Sequence, residues 1–364
     1  MKLQVTQENL TRSLSGVGRV ATGRNTLPIL SNVLLKTIGN RLSIAATNLD
    51  IAITYFIGSK VSEEGAITVP ARLMQDFISS LPSGVIELDL EDYKLHISTE
   101  KYKSVINGVS AEEFPIMPAI NKHKVTWSIP AKELKSGLQQ VVFAASGDEA
   151  RPTLTGVFIH TVGGKLHIVS TDSYRLAERE LIKINEEISL LVPATAMQDL
   201  LRIITDYDED VEVIHDDQQV LFRAGDVELV TRLIEGKYPD YRKLIPEKFT
   251  TTASLKKADF INITKVSSLF ARENAGSITI HADEEAKSVS IRSVASQLGE
   301  NTASADGTIA GDGEITLNSR YLLDALNVLT DDEVTLNFNG KLEPCVIKNA
   351  KTAGYTHVIM PLKS

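Results

Sequence analysis

The sequence predicts an α+β fold of three repeated domains, and three observations carry that prediction. A unit of about 120 residues recurs along the chain. Each copy alternates amphipathic helical stretches with strand-like ones. The length of 364 residues and the 43% hydrophobic content suffice for two or three cores, which excludes a single small fold.

The rear half of the unit is the plainest. Val69-Pro70-Ala71-Arg72 opens a helix with Met74, Phe77, Ile78 and Leu81 on one face, and Val192-Pro193-Ala194-Thr195 opens another with Met197, Leu200, Leu201 and Ile204. A third, Leu317-Asn318-Ser319-Arg320, precedes Leu322, Ala325, Leu326 and Leu329. Strands follow each helix: Val85–Leu90, Val211–Ile214 and Val334–Phe338. The copies close on Phe114-Pro115, Tyr238-Pro239 and Met360-Pro361.

The front half repeats too. Leu10, Leu14 and Val17 recur as Leu134, Leu138 and Val141, and more loosely as Phe260, Ile263 and Ser267. Leu42-Ser43-Ile44 runs into Thr47-Asn48-Leu49-Asp50, and Leu166-His167-Ile168 runs into Thr171-Asp172-Ser173-Tyr174. The unit therefore reads helix, strands, helix, strands. Breaker-rich linkers at Pro115-Ile116-Met117-Pro118 with Asn121-Lys122-His123-Lys124, and at Pro246-Glu247-Lys248-Phe249-Thr250, put the domains at 1–120, 121–248 and 249–364. So long a period makes each unit a domain with its own core, and three such domains on short linkers favour an arc.

The net charge of −9, with a pI near 5.4, argues against holding polyanionic DNA by bulk electrostatics. A DNA function survives only if basic groups gather on one surface or if DNA is enclosed. No apolar run is long enough to cross a bilayer, and Met1–Val5 alternates as a strand does instead of opening a signal peptide, so a soluble cytoplasmic protein is expected. Cys345, the only cysteine, reads as a small buried hydrophobe.

On the first helix Arg12 and Arg19 fall opposite Leu10, Leu14 and Val17, so its polar face is basic. Lys132, Ser136, Gln139 and Gln140 occupy that face in the second unit, and Arg72 and Arg320 sit at equivalent places on the later helices. Each taken singly is an ordinary solvated face; recurrence is what makes them candidates. Asp76, Asp199 and Asp324 share one helical position in all three units, with no repeated base or metal set beside them, which points to architecture.

A catalytic site is not legible. There is no phosphate-cradling glycine loop, paired-cysteine site or His-Glu-x-x-His helix, and the seven histidines are scattered. His215-Asp216-Asp217 reads as a solvated strand end, and Asp206, Asp208, Glu209 and Asp210 as a surface turn lacking the spacing of a calcium loop. No catalytic residue, metal or cofactor is expected.

Particular segments then become recognisable: Arg24–Leu30, Arg151–Val157, Thr171–Leu176, Glu235–Tyr241 and Val358–Leu362. In order and across the whole chain they resemble signature segments of the bacterial DNA sliding-clamp family, the beta subunits of DNA polymerase III. The resemblance implies a head-to-tail homodimer of six clamp domains closing a ring, with helices lining the pore and antiparallel sheets outside. It implies a processivity factor that encircles duplex DNA without reading its sequence and has no active site of its own. A heterologous interface whose rotation closes gives such a ring, and enclosure answers the charge objection, since weak mobile contacts then suffice.

By position Arg24 resembles a DNA-touching residue of the family; Arg12, Arg19, Arg72 and Lys132 join it from the helical projection. Partners implied are the clamp loader, the replicative polymerase subunit, and other polymerases and repair proteins carrying a short peptide with a glutamine and a hydrophobic anchor. The peptide cleft maps to Leu154, Thr171, Tyr174, Arg175, Leu176, Pro239 and Leu244, then to Val358, Met360, Pro361 and Leu362, with Arg151, Tyr321 and Pro344 nearby. Arg175 and the backbone around Met360 can orient a polar peptide group. Ile106 and Leu269 match hydrophobic dimer-interface positions, and Leu269 projects away from its helix's core stripe. The family commonly has histidine where Tyr174 stands and a larger side chain where Thr153 follows Pro152, which leaves the preferred peptide open. Two rivals remain: a nuclease, which would need clustered carboxylates for metal ions, and a clamp paralogue acting as a partner-binding scaffold outside replication.

Overall fold

The computed structural model describes residues 1–21, 27–116, 120, 125–295 and 299–363. Six α-helices appear among them: α1 (Gln7–Ala21), α2 (Ala71–Ser80), α3 (Ala131–Val141), α4 (Ala194–Ile203), α5 (Lys257–Phe270) and α6 (Ser319–Val328). The expected stripes are their buried faces. Leu10, Leu14 and Val17 are wholly buried, as are Met74 and Ile78, Met197, Leu138 and Val141, and Leu322, Ala325 and Leu326. Burying a side chain of this size is worth about 1.5–3 kcal/mol, which fixes each helix on its sheet. The exception is α5. There Phe260, Thr264 and Ser267 are buried and Ile263 is only half-buried, because the Thr264 hydroxyl donates to the Phe260 carbonyl at 2.7 Å and so enters the core satisfied.

The chain forms two compact units, Met1–Lys132 with Asp199–Leu233, and Glu133–Gln198 with Ile234–Ser364. In the first, a five-stranded antiparallel sheet runs Lys60–Glu63, Lys2–Thr6, Val85–Glu91, Lys94–Ser98, Lys103–Asn107. An eight-stranded one runs Val125–Pro130, Asp210–His215, Gln219–Ala224, Val227–Arg232, Ile51–Gly58, Arg41–Thr47, Asn32–Ile38, Ala66–Pro70. Helices α1 and α2 lie side by side here. Gly18 permits it, since a Cβ there would strike the Gln75 amide on α2, and Gly16 leaves room for the Tyr55 ring of the sheet beneath α1.

The second unit has one twelve-stranded sheet. It runs Ser189–Pro193, Gly156–Val162, Lys165–Thr171, Arg175–Lys183, Tyr355–Ile359, Cys345–Asn349, Glu333–Phe338, Thr251–Lys256, Gly299–Ala310, Ser288–Ala295, Ser277–Asp283, Gly313–Asn318. In each large sheet, strands of two successive repeats join edge to edge. Val227–Thr231 pairs antiparallel with Tyr55–Ile51, and Tyr355–Ile359 with Arg179–Arg175. The second repeat therefore contributes to both units.

Candidate functional site

The turn at Thr171–Arg175 is built by its own side chains. Thr171 Oγ1 donates to the Arg175 carbonyl at 2.6 Å and accepts from Ser173 N, while Asp172 Oδ1 accepts from the amides of Tyr174 and Arg175, both at 2.9 Å. Ser173 is left with φ of 78°, a left-handed conformation a non-glycine residue adopts only when its neighbours hold it. The turn leaves Tyr174 exposed and sends Arg175 inward.

Three of the five N–H donors of Arg175 are used inside the protein. Its Nε donates to Asp172 Oδ2 at 3.1 Å, Nη1 to Asp324 Oδ2 at 2.6 Å and Nη2 to the Phe143 carbonyl at 2.9 Å. The guanidinium also lies over the Tyr321 ring, 4.5 Å from its centroid, and the Phe143 ring. Arg175 thus bolts the strand behind the turn to α6 while still lining two hollows. Asp324 is the architectural residue its recurrence suggested. Its counterparts also face arginines, Asp199 with Arg202 at 2.6 Å and Asp76 with Arg72 at 4.0 Å, and burial raises the Asp199 carboxyl.

Two hollows meet at Arg175. The apolar one is lined by Thr171, Ser173, Arg175, Leu176, Leu244, Val358 and Met360. Leu176 and Val358 form its floor as a cross-strand pair, and the Met360 amide donates to the Tyr174 carbonyl at 2.8 Å. The second hollow is polar, and its walls include Asp148, Arg151, Tyr174, Arg320 and Tyr321. Arg151 is held there by Asp148 at 2.9 Å and the Ser173 hydroxyl at 3.0 Å. The other cleft residues line neither hollow. Leu154 is buried under the Arg151 turn, Pro239 is exposed, and Pro344, Pro361 and Leu362 are half-buried, with the Leu362 amide donating to the Thr316 carbonyl. Phe143 touches the site and escaped the sequence reading; Arg320, read there as part of a basic helix face, and Ser173, read only as part of the Thr171–Leu176 segment, line the two hollows.

Arg12, Arg19 and Arg72 are exposed on α1 and α2, as is Lys132 at the start of α3, whereas Arg24 lies outside the described residues. Leu269 is 51% exposed, as an interface residue should be. Ile106 is not. It is 5% exposed and faces the core of its own sheet; the outward apolar residue on that strand is Val105, 52% exposed. His215 is buried, which lowers its pKa, and Asp216 caps the following turn by accepting from the amides of Gln218 and Gln219. Among the described residues no three His, Cys, Asp or Glu side chains gather as a metal ion would require, and no helix is long and apolar enough to cross a membrane.

Family models for the DNA polymerase III beta subunit match three segments: the N-terminal domain over residues 1–118, the central domain over 128–240 and the C-terminal domain over 242–363. The chain is 31% identical to the beta sliding clamp of Synechococcus elongatus, over 100% of this chain and 99% of that one, and 29% identical to that of Bacillus subtilis over the whole of both. Its fold matches the crystal structure of the Bacillus subtilis sliding clamp with a TM-score of 0.95 at 29% identity, covering 100% of this chain and 99% of the other. A sliding clamp of Pseudomonas aeruginosa bound to griselimycin matches with a TM-score of 0.95 at 25% identity over the whole of both chains.

Proposed function

Because this chain belongs to the bacterial DNA polymerase III beta sliding-clamp family, we propose that it is the processivity factor of replication: two copies close head to tail around duplex DNA, and the cleft beside Arg175 tethers the replicative polymerase. The clamp loader and other polymerases and repair proteins use the same cleft through their own peptides. The exposed arginines of α1 and α2, with Lys132, supply the sequence-independent contacts to phosphates, and the domains divide near residues 120 and 248. The protein performs no chemistry of its own.

The observation that carries this reading is a junction made twice and left open once. Ile51–Tyr55 is covered by Thr231–Val227, and Arg175–Arg179 by Ile359–Tyr355. The corresponding strand of the third repeat is Gly299–Ala310. It pairs with Ser288–Ala295 along Gly299–Asp306 and with Thr252–Leu255 beyond, so the outer edge of Gly299–Ala303 has no partner strand among the described residues. The covering strand's counterpart in the first repeat, Lys103–Asn107, is a sheet edge. Val105 is 52% exposed there, whereas the residues in its place in the other repeats, Val230 and Val358, are 7% and 3% exposed. Unpaired edges are ordinarily covered. Joining these two between copies is heterologous, hence head to tail.

The internal junctions fix the register: Val230 faces Ala52 and Val358 faces Leu176, so Val105 should face Glu300 and Ser104 should face Asn301. Of two adjacent antiparallel pairs one is the close, non-hydrogen-bonded kind. Paired cysteines at 105 and 300, or at 104 and 301, should therefore join two chains under mild oxidation in one of the two variants. A monomer in both would overturn the ring.

A further inference from the structure

Beside the apolar hollow lies a polar cluster, buried at His160 and Tyr241 and open to solvent at Arg242, with no part in the reading so far. The Tyr241 hydroxyl donates to Glu178 Oε1 at 2.5 Å, and the Arg242 guanidinium donates to the same oxygen at 2.9 Å. His160 Nε2 stands 2.8 Å from the Tyr241 oxygen. With that hydroxyl's proton given to Glu178, His160 must be the tautomer donating from Nε2. His167 Nδ1 is 3.4 Å from Glu178 Oε1, and the His160 ring stacks on Phe158. Burial works to raise the Glu178 carboxyl, but the nearby His167, the bond from Tyr241 and the Arg242 charge outweigh it and hold it at about 2; burial, then the His167 and Arg242 charges, lowers His160 to about 4. The cluster is thus one carboxylate ringed by donors around a neutral imidazole.

Its position gives it a use. Glu178 is two residues beyond Leu176 on the same strand face, so one strand carries the hollow's floor and the cluster's centre. Tyr241 opens a single 3₁₀ turn, Tyr241–Leu244, whose last residue is the wall residue Leu244, apolar and 53% exposed. Apart from the packing of Tyr241 and Ile245 on the core, little else holds that turn. Its backbone bonds among the described residues are internal, Tyr241 N to the Pro239 carbonyl and Ile245 N to the Arg242 carbonyl, and Asp240 makes no side-chain cap. The Lys243–Asp240 pair is exposed, and such pairs contribute little. The ring of Tyr241 packs with Tyr238 on Val169, Leu176, Leu191, Val346 and Val358, but apolar packing tolerates sliding. Directional bonds to Glu178 do not.

We propose that the Tyr241–Glu178 bond, braced by His160 and Arg242, is a positioning device for the peptide cleft: it pins the turn so that Leu244 stands as a fixed wall of the anchor hollow. The inference rests on reading that hollow as the site of a partner's hydrophobic anchor. A preformed wall spares the ordering cost that a loose one would add on binding.

The test uses Tyr241→Phe and Glu178→Gln in the full chain, with a synthetic fluorescent peptide bearing a glutamine and a leucine anchor. Each substitution should weaken peptide binding about five- to tenfold, the worth of one ordinary hydrogen bond. Combined with Leu244→Ala, each should add less than about a twofold further loss, because the device acts through Leu244. Hydrogen exchange at the amides of 241–245 should quicken in both variants of the free protein. Unchanged affinity, or an equal loss with and without Leu244, overturns the proposal. Should the unaltered chain fail to bind peptide, the cleft reading falls, and exchange still decides the pin: unchanged protection at 241–245 would refute it.

Discussion

The turns at Thr47–Ile51 and Thr171–Arg175, 124 residues apart, are built by the same four hydrogen bonds. Thr47 Oγ1 donates to the Ile51 carbonyl and accepts from Leu49 N, and Asn48 Oδ1 accepts from the amides of Asp50 and Ile51, as Thr171 and Asp172 do in the second copy. Leu49 and Ser173 share the left-handed backbone, with φ of 80° and 78°. Even the covering strand repeats its bond: Arg232 N donates to the Asp50 carbonyl as Met360 N does to Tyr174. What differs is the side chains on this common frame. Asp50, Ile51, Ala52 and Arg232 become Tyr174, Arg175, Leu176 and Met360. The first set fills a junction, and the second hollows it out and lines it. On the proposed reading, function is a change of side chains at one of two equivalent seams.

The largest expected effect breaks the bolt. Arg175→Ala strands Asp324 and Asp172 and should cost about 3–5 kcal/mol of stability by urea unfolding, whereas Ile51→Ala at the equivalent place leaves only a cavity and should cost about 2–3 kcal/mol. Next comes the wall itself. Leu244→Ala with Met360→Ala should weaken anchor-peptide binding about a hundredfold by fluorescence anisotropy, and Arg232→Ala, at the counterpart of Met360, should leave it within about twofold.

The smallest separates the seams by pH. His160 and His357 are held near 4 and near 3, both chiefly by burial, and lysine and serine stand at the corresponding first-repeat positions, Lys36 and Ser104. A histidine depressed on folding binds fewer protons folded than unfolded, so its stability contribution is full above about 6.5 and falls as pH drops toward its folded value. Between pH 7 and pH 5 each should cost about 2 kcal/mol. Unfolding curves at the two pH values check it, and His357→Leu should remove about half of the loss.

The helices and turns were legible because their signals are local. Apolar stripes at helical spacing located every helix, and only α5 was misphased, since a threonine that satisfies its own hydroxyl leaves no trace in a hydrophobic pattern. Arg175 was legible as a site residue, but its internal partners were not: Asp324, Phe143 and Tyr321 come to it from distant parts of the chain. Ile106 failed for another reason. Alternation gives two faces to a strand but does not say which is inward, and pairing with Lys94–Ser98, whose Leu95 lies opposite Ile106, decides it.

The most direct test of a closed ring is topological. Chains loaded onto a nicked circular duplex and challenged with about 1 M salt, which screens phosphate contacts to within about 3 Å, should stay bound until the circle is cut and then leave from the ends. Equal release from circular and linear DNA would contradict a ring.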